Sequence, residues 1–251
     1  MNKNYQYYYS ELKSSVFDSE DRINKAKKTI AVLVDFLSET SDLILLDIGS
    51  STGIMTNEYA NYFKEVIGID IDSKAINYAN NNFKKKNIKF INSPIEESNL
   101  KKSSFDVITC SHIYEHVPSA HVLLESIYKL LKPGGVCYFA AGNKYKIIET
   151  HYNLPFLSYF PKKIANIYIR IFTNQKEYYE NLKSLRQLKK LVNKFEVVDY
   201  TLKILKTPSK FYAKEMLKEN TLKYFIVNFI SRICYFIIPT YIWILKKPEI
   251  K

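Results

Sequence analysis

Between residues 43 and 142 the chain alternates short apolar runs with segments whose apolar residues recur every three or four positions. Residues 43–46, 66–69, 88–91, 105–108 and 136–140 read as buried parallel strands. Residues 54–63 and 120–131 read as helices. Upstream, Ser19 is expected to cap a helix running to Leu37, with Ile23, Ala26, Ile30, Val34 and Leu37 on one face. Strands that alternate with helices predict a parallel sheet with helices on both faces. Residues 5–17 are aromatic and lack a clear period. Beyond residue 143 the alternation stops, and residues 144–172 fit no core element. Residues 176–193 then predict a helix with Leu182, Leu185, Leu188 and Val192 on one face. Residues 195–205 predict a strand patterned on Val197, Tyr200 and Leu202, and residues 241–245 a final strand. Residues 210–238 are apolar and basic.

Glycine sharpens this picture. The six glycines are Gly49, Gly53, Gly68, Gly134, Gly135 and Gly142, each beside a predicted strand end. The stretch Asp47-Ile48-Gly49-Ser50-Ser51-Thr52-Gly53 joins the first strand to the first helix of the unit. Asp70 ends the next strand. A strand, a glycine turn, a helix and an acid about twenty residues on is how a βαβ unit holds an adenine nucleoside. A glycine at such a junction is by itself ordinary punctuation. The weight comes from joint occurrence with "FDVI" at 105–108 and "LKPGG" at 131–135.

In order and spacing these motifs resemble the class I S-adenosylmethionine-dependent methyltransferases, over residues 43–142. The resemblance implies a doubly wound seven-stranded α/β sheet, closed by an antiparallel hairpin of the last two strands. It implies one domain over residues 1–251, with an N-terminal helical segment to residue 42 and two additions, 144–172 on the acceptor side and 210–238. S-adenosylmethionine is the implied cofactor. Gly49, Ser51 and Gly53 would wrap its methionine part, Asp47 would support the turn, and Asp70 would accept bonds from ribose hydroxyls. Ile71 and Ser111, at the ends of strands two and four, join the expected cofactor residues. The family places an acid after strand three, where this chain has Pro94; Glu96 or the backbone at Ile95 is the expected substitute. Ser51 replaces a usual glycine, which a serine tolerates at negative φ. A nicotinamide enzyme is the alternative ligand class, but it predicts a G-x-G-x-x-G turn absent here.

Methyl transfer from a sulfonium is a direct displacement that needs alignment and no metal. A weak catalytic signature is therefore expected. The "SHIYEH" stretch, residues 111–116, follows strand four at the sheet's carboxyl edge. His116 could take a proton from an acceptor hydroxyl; the plainer reading is that His116 or His112 shapes the pocket or caps the next helix. The stretch "ETHYNLPFLSYFP" at 149–161 resembles an "EPHY…LP…P" pattern of bacterial methyltransferases in surface-polysaccharide and lipid-linked pathways. It makes His151 a second candidate base, or a lid-fixing residue.

Charge and composition add a partner class. Residues 1–150 hold 18 Lys+Arg and 18 Asp+Glu, whereas residues 151–251 hold 19 and 7, so the whole formal excess of +12 lies there. An anionic partner or plain surface lysine accounts for it. Lys162, Asn166 and Arg170 recur every four residues. In 210–238 a narrow polar stripe (Lys214, Lys218, Thr221, Asn228, Arg232) faces a broad one including Leu217, Leu222, Phe225, Phe229, Ile233 and Phe236. Both segments resemble interfacial helices; packing on the domain or a second subunit is the plainer account. A membrane span over 222–245, with 18 apolar residues of 24, is disfavoured by Arg232 and Pro239. Cys110, Cys137 and Cys234 have no metal-ligand spacing, and no secretory signal is visible. Both point to a reducing cytoplasm. The expected function is O-methylation of a small or lipid-linked acceptor such as a surface-glycan sugar, at the inner membrane face. The alternatives are a quinone-precursor methyltransferase and a non-catalytic membrane-associated binding module. Nucleic acid is not expected, because no Asn/Asp-Pro-Pro-Tyr/Phe motif follows strand four.

Overall fold

A computed structural model describes residues 7–249 of the chain; the expectations that touch residues 1–6 lie outside the described residues. The strands are β1 (Ile44–Ile48), β2 (Glu65–Asp70), β3 (Ile88–Asn92), β4 (Phe105–Ser111), β5 (Leu131–Gly142), a small hairpin of β6 (Ile148–Glu149) and β7 (Leu154–Pro155), β8 (Glu196–Asp199) and β9 (Thr240–Lys246). Seven of them form one sheet in the order β3-β2-β1-β4-β5-β9-β8. β1 to β5 run parallel, while β9 lies antiparallel between β5 and β8. The chain reverses its direction of build between β1 and β4. That switch point opens a crevice at the strands' carboxyl ends.

Both faces of the sheet are covered, which is why its central strands read as continuous apolar runs. One face packs on α2 (Ser19–Leu37), α3 (Ile54–Tyr59) and α8 (Thr201–Lys206), through Ala26, Leu33, Tyr59 and Ile204. The other packs on α5 (Ala120–Leu130) and α7 (Leu185–Leu191), through Leu123, Ile127, Leu130 and Leu188. α4 (Ser73–Asn82) joins β2 to β3 and is capped by Asp72, whose carboxylate accepts the Ala75 N–H at 3.1 Å. A short helix α1 (Tyr9–Leu12) precedes α2.

Four expectations are corrected. The cap of α2 is Asp18, which accepts the Asp21 N–H at 3.1 Å; Ser19 is the first helical residue. Its buried face runs through Ala26, Thr29, Ile30 and Leu33, leaving Val34 exposed. The helix expected over 176–193 is only α7. Its start is set by a capping box of Ser184 and Gln187. Upstream, the backbone of 176–183 spends its hydrogen bonds on tertiary partners: Tyr178 N–H on Asn166 Oδ1 (2.8 Å), Asn181 N–H on the Glu115 carbonyl (2.9 Å) and Lys183 N–H on the Tyr114 hydroxyl (3.0 Å). The strand expected over 195–205 stops at Asp199, whose carboxylate accepts the Thr201 N–H at 2.8 Å and turns the chain into α8. Of 210–238, only α9 (Leu222–Ile233) is α-helical. Residues 210–221 are turns that bury Phe211, Ala213 and Leu217, so Leu217 belongs to the core.

The 144–172 addition consists of the β6–β7 hairpin and α6 (Lys162–Phe172). Lys162, Asn166 and Arg170 do share one face of α6; that face borders the 176–180 backbone, while Ala165 and Ile169 are the residues the helix buries. Lys162 Nζ donates to the carbonyls of Tyr178 and Glu180, both at 2.7 Å, and Arg170 Nε to that of Lys176 at 2.9 Å. The apolar residues Ile164, Ile167, Ile171 and Phe172 are left exposed. α9 is built the same way. Asn228 donates to the Leu205 carbonyl (3.0 Å) and Ser231 is buried, while Leu222, Phe225, Phe229 and Ile233 face outward. Among the described residues no helix is long and apolar enough to cross a membrane.

Asp35 on α2 ties the two covering helices of one face together. Its side chain is 8% exposed and accepts from Tyr200 (2.7 Å), Lys203 and Lys210. Burial opposes ionisation, but those donors hold the carboxyl far below the usual carboxylate range. A depressed native pKa stabilises above the unfolded value, about 3.9, and that stability is lost as pH falls through the native pKa. Asp35→Asn is expected to cost about 1–3 kcal/mol at pH 7. Urea unfolding at pH 7, 4 and 2.5 should show the gap to wild type shrinking toward the most acid condition; a gap independent of pH contradicts this assignment.

Candidate active site

The crevice at the switch point holds a cavity of about 590 Å³. Asp47, Gly49, Ser51, Asp70, Ile71, Ile95 and Ser111 line it, as the sequence predicts for a cofactor. His116 and His151 line it as well, which brings together two candidates separated in sequence by the whole of α5 and β5. Gly53 and Glu96 are not among its lining residues. Glu96 is exposed at the surface, and the wall after β3 is made by Ser93, Pro94 and Ile95 instead. Gly53 serves the turn. It has φ +76, and a Cβ there would come within 2.7 Å of both Ala79 and the Phe90 ring.

The β1–α3 turn is built from left-handed residues: Gly49 (φ 76), Ser51 (φ 50) and Gly53 (φ 76). A negative φ at Ser51 was the expectation, and the structure corrects it. The cost of a left-handed non-glycine residue, of order 1–3 kcal/mol, is opposed by a specific bond. The Ser51 N–H donates to Asp70 Oδ2 at 2.8 Å. Asp70 Oδ1 accepts the Asp72 N–H at 2.9 Å, so each carboxylate oxygen keeps a lone pair for a ligand. Burial pushes the Asp70 carboxyl up from its ordinary value, opposed by these amide donors. Asp47 lies beneath the turn, 6% exposed, and accepts hydroxyl protons from Thr56 of α3 (2.7 Å) and Thr109 of β4 (2.6 Å). Burial raises its carboxyl to about 6 against those two bonds.

Residues that sequence reading missed come from the N-terminal segment. Tyr9, Lys13, Ser15 and Arg22 line the cavity. The Arg22 Nε is buried without a hydrogen-bond partner. The segment is held down by Ser10 N–H on Asp72 Oδ2 (2.8 Å) and by the Thr52 hydroxyl on the Val16 carbonyl (2.7 Å). Aromatic residues without period gave no signal for this placement.

At the other end of the cavity the His116 and His151 rings meet edge to face, with centroids 5.0 Å apart, and Tyr9 packs on His116 at 5.5 Å. His151 Nδ1 lies 2.8 Å from Glu149 Oε1, which also binds Lys146 Nζ at 2.8 Å. Glu149 Oε2 accepts the N–H groups of His151 (2.8 Å) and Tyr152 (3.2 Å). This fully buried carboxylate fixes the imidazole's orientation and leaves Nε2 for the cavity. Burial alone would lower the His151 pKa; the Glu149 bond and charge outweigh it and raise it above the ordinary value. His116 has no such partner. Burial pushes it down to about 4, only partly offset by Glu115, so the ring is neutral at physiological pH. Glu115 is itself fully buried and bonds His112 Nδ1 at 3.1 Å, while His112 is about half exposed. His112 lines the cavity too, with its Nδ1 engaged by Glu115, so three imidazoles border it: His112, His116 and His151.

Residues 46–139 match the family described as "Methyltransferase domain". Over 105 residues the chain is 30% identical to the ubiquinone biosynthesis O-methyltransferase of Psychrobacter cryohalolentis, covering 40% of this chain and 41% of that protein. The Acinetobacter baylyi protein of the same name is 30% identical over 104 residues, 40% of this chain and 44% of its own. The chain thus spans about two fifths of the length of these curated relatives. Among solved structures, a putative S-adenosylmethionine-dependent methyltransferase from Listeria monocytogenes superposes with a TM-score of 0.58 at 16% identity, over 90% of this chain and 99% of its own. A Haemonchus contortus phosphoethanolamine N-methyltransferase 2 in complex with S-adenosyl-L-methionine gives 0.54 at 20% identity, over 88% and 52%. At such identities the likeness is one of fold, and it runs through nearly the whole chain. Residues 46–139 are thus similar to a methyltransferase domain, and the chain shares its fold with S-adenosylmethionine-dependent methyltransferases.

Proposed function

We propose that this protein transfers the methyl group of S-adenosylmethionine to a hydroxyl of a small or lipid-linked acceptor, such as a sugar of a surface glycan. The observation that carries the reading is the pair His116 and His151, presented at one end of a cavity whose other end is built for the cofactor. Several residues at the cofactor end suit that ligand. Asp70 has free lone pairs for ribose hydroxyls, and Arg22 has a buried, unpartnered guanidinium nitrogen suited to a carboxylate. Ser93, Pro94 and Ile95 offer backbone and apolar surface to the adenine.

The bound cofactor supplies an electrophilic methyl group on a sulfonium. The acceptor oxygen forms its bond to that carbon as the carbon–sulfur bond breaks, and the electron pair returns to sulfur. The acceptor's proton must leave, and the imidazole pair is where it is handled. Alignment by the closed cavity does the remaining work. Around the pair, Glu115 Oε2, His116 Nδ1, the Tyr178 hydroxyl and Glu180 Oε2 are buried polar atoms with no partner. Of these residues His116 lines the cavity and can meet the acceptor directly. A quinone precursor is the second reading, favoured by the similarity to ubiquinone biosynthesis O-methyltransferases.

The acceptor's setting follows from the exposed faces. The 144–172 addition displays Ile147, Ile148, Phe156, Ile164, Ile167, Ile171 and Phe172, continuous with the hairpin that carries His151. α9 adds Leu222 (77% exposed) and Phe229 (68%). With the excess of Lys and Arg in residues 151–251, these faces suit the headgroup layer of an anionic, cytoplasmic leaflet. The protein would then reach a lipid-linked acceptor from the interface.

Asp70→Ala is expected to weaken S-adenosylmethionine binding at least tenfold by calorimetry. His116→Ala and His151→Ala should leave that binding intact and lower kcat by about 10²–10⁴-fold. Near-normal turnover in both histidine variants removes the pair from the mechanism. The acceptor class is decided by incubating the enzyme and labelled cofactor with lipid-linked oligosaccharides and with demethylated quinols. Label in the quinol alone selects the second reading. Liposome flotation tests the interface: anionic vesicles should carry the protein at low salt and release it at high salt. Ile167→Asp with Phe229→Asp should abolish flotation, and wild-type protein that stays at the bottom with every vesicle refutes the membrane placement.

A further inference from the structure

The groups that crowd the histidine pair have a property the methyl-transfer reading does not use. One ligand atom each from His116, His151 and Glu180 lies within 4.8 Å of the other two. Glu180 is 4% exposed, and its Oε2 has no hydrogen-bond partner; nor has the buried His116 Nδ1. Buried polar atoms left without partners are expensive unless something occupies them. A water or an acceptor hydroxyl could satisfy one of these atoms at a time, whereas a cation bound by the cluster would engage all three side chains. Glu115, Glu149 and Glu180 are all buried here, and Lys146 is the buried cation among them. Lys13 and Lys162 approach, but their ammonium groups are spent on the backbone carbonyls of His151, Tyr178 and Glu180.

We propose that His116, His151 and Glu180 bind a divalent first-row metal ion, such as Zn²⁺ or Mn²⁺, at the acceptor end of the cavity. Two imidazoles and one carboxylate are a donor set such ions accept while keeping positions open for other oxygens. The shell behind the ligands is already in place. Glu149 binds His151 Nδ1 at 2.8 Å, which fixes the ring and directs Nε2 forward. Lys162 and Asn166 of α6 hold the 178–180 backbone that carries Glu180. With bonds of about 2.1 Å, ligand atoms stand roughly 3–3.5 Å apart, so the side chains close by about 1 Å onto the ion. The inference rests on the O-methylation reading for its purpose and narrows the acceptor. It selects one that offers two neighbouring oxygens, a vicinal diol or a catechol. A hydroxyl bound to the ion is more acidic and releases its proton to water. The two imidazoles then act on the acceptor through the ion.

The test uses the full chain, stripped with chelator and dialysed, then titrated with Zn²⁺ or Mn²⁺. Calorimetry and elemental analysis are expected to show one ion per chain. His116→Ala, His151→Ala and Glu180→Gln should each weaken binding at least tenfold, while Glu125→Gln, on the surface of α5, should not. Cofactor binding and thermal melts report whether each variant is folded. If Glu180→Gln does not fold, electron-spin-echo spectra of Mn²⁺ on the wild type must show two imidazole nitrogens. No stoichiometric ion, or an ion retained in the folded variants, overturns the inference. Metal binding is measured without turnover. A protein that binds the ion yet methylates no hydroxyl therefore fails the O-methylation reading alone; one that methylates equally well after stripping, without binding an ion, fails the metal alone.

Discussion

Everything in the cavity hangs on one buried carboxylate. Asp47 is at once the end of β1, the anchor of α3 through Thr56 and the link to β4 through Thr109. A charge in that position is costly to bury, and the two hydroxyl donors are what make it tolerable. The glycine turn above it can then be tight and left-handed, because its floor cannot move. Ile113 fills the space a Cβ at Gly49 would need, approaching it to 2.1 Å, so the loop that ends in His116 is packed directly against the cofactor turn. The two halves of the cavity are thereby set at a fixed separation. A direct displacement between a methyl donor and an acceptor depends on that separation.

A second constraint works in the opposite direction. Ordinary surface helices turn polar residues to water and bury the rest. α6 and α9 depart from this by leaving much of their apolar surface exposed, while polar side chains such as Lys162, Asn166 and Asn228 bond the backbone of neighbouring irregular segments. For α6 the bonds to 176–180 hold in place a stretch that has no secondary structure of its own. That stretch carries Glu180 and packs Tyr178 on Tyr152 at 5.6 Å. The exposed apolar face is thus the other side of an arrangement that builds the acceptor end of the site.

The nucleotide-binding half was legible because its signals are local. Apolar runs, the turn glycines and the acid at the end of β2 each follow from backbone geometry at their own positions. The antiparallel pairing of the last two strands, β8 and β9, was implied by the resemblance. What periodicity misread lies where tertiary hydrogen bonds replace local ones. Residues 176–183 have helical spacing, yet Glu115, Tyr114 and Asn166 claim their amides. Leu202 continues a strand pattern, yet Asp199 turns the chain before it. Arg22 and Glu180 were invisible for a related reason: their meaning comes from unmet polar atoms, which exist only once the chain is folded. Ser51 is the reverse case. Its departure from glycine was plain in the sequence, but the amide bond to Asp70 that sustains a positive φ was not.

The N-terminal segment touches both ends of the cavity at once. Ser10 and Val16 bind next to the cofactor turn, while Lys13 Nζ reaches the His151 carbonyl at 2.9 Å and Tyr9 lies on His116. Val16 is its buried apolar anchor, and Phe17 on Tyr78 and the Glu11–Lys74 ion pair add to its hold. A single strap fastened at two points gives the protein one door for two rooms. Lifting it lets demethylated cofactor and methylated product leave in the same event, and reseating it needs both rooms refilled in compatible ways. Exchange at both ends would then be tied to the same segment, seated at the strand ends.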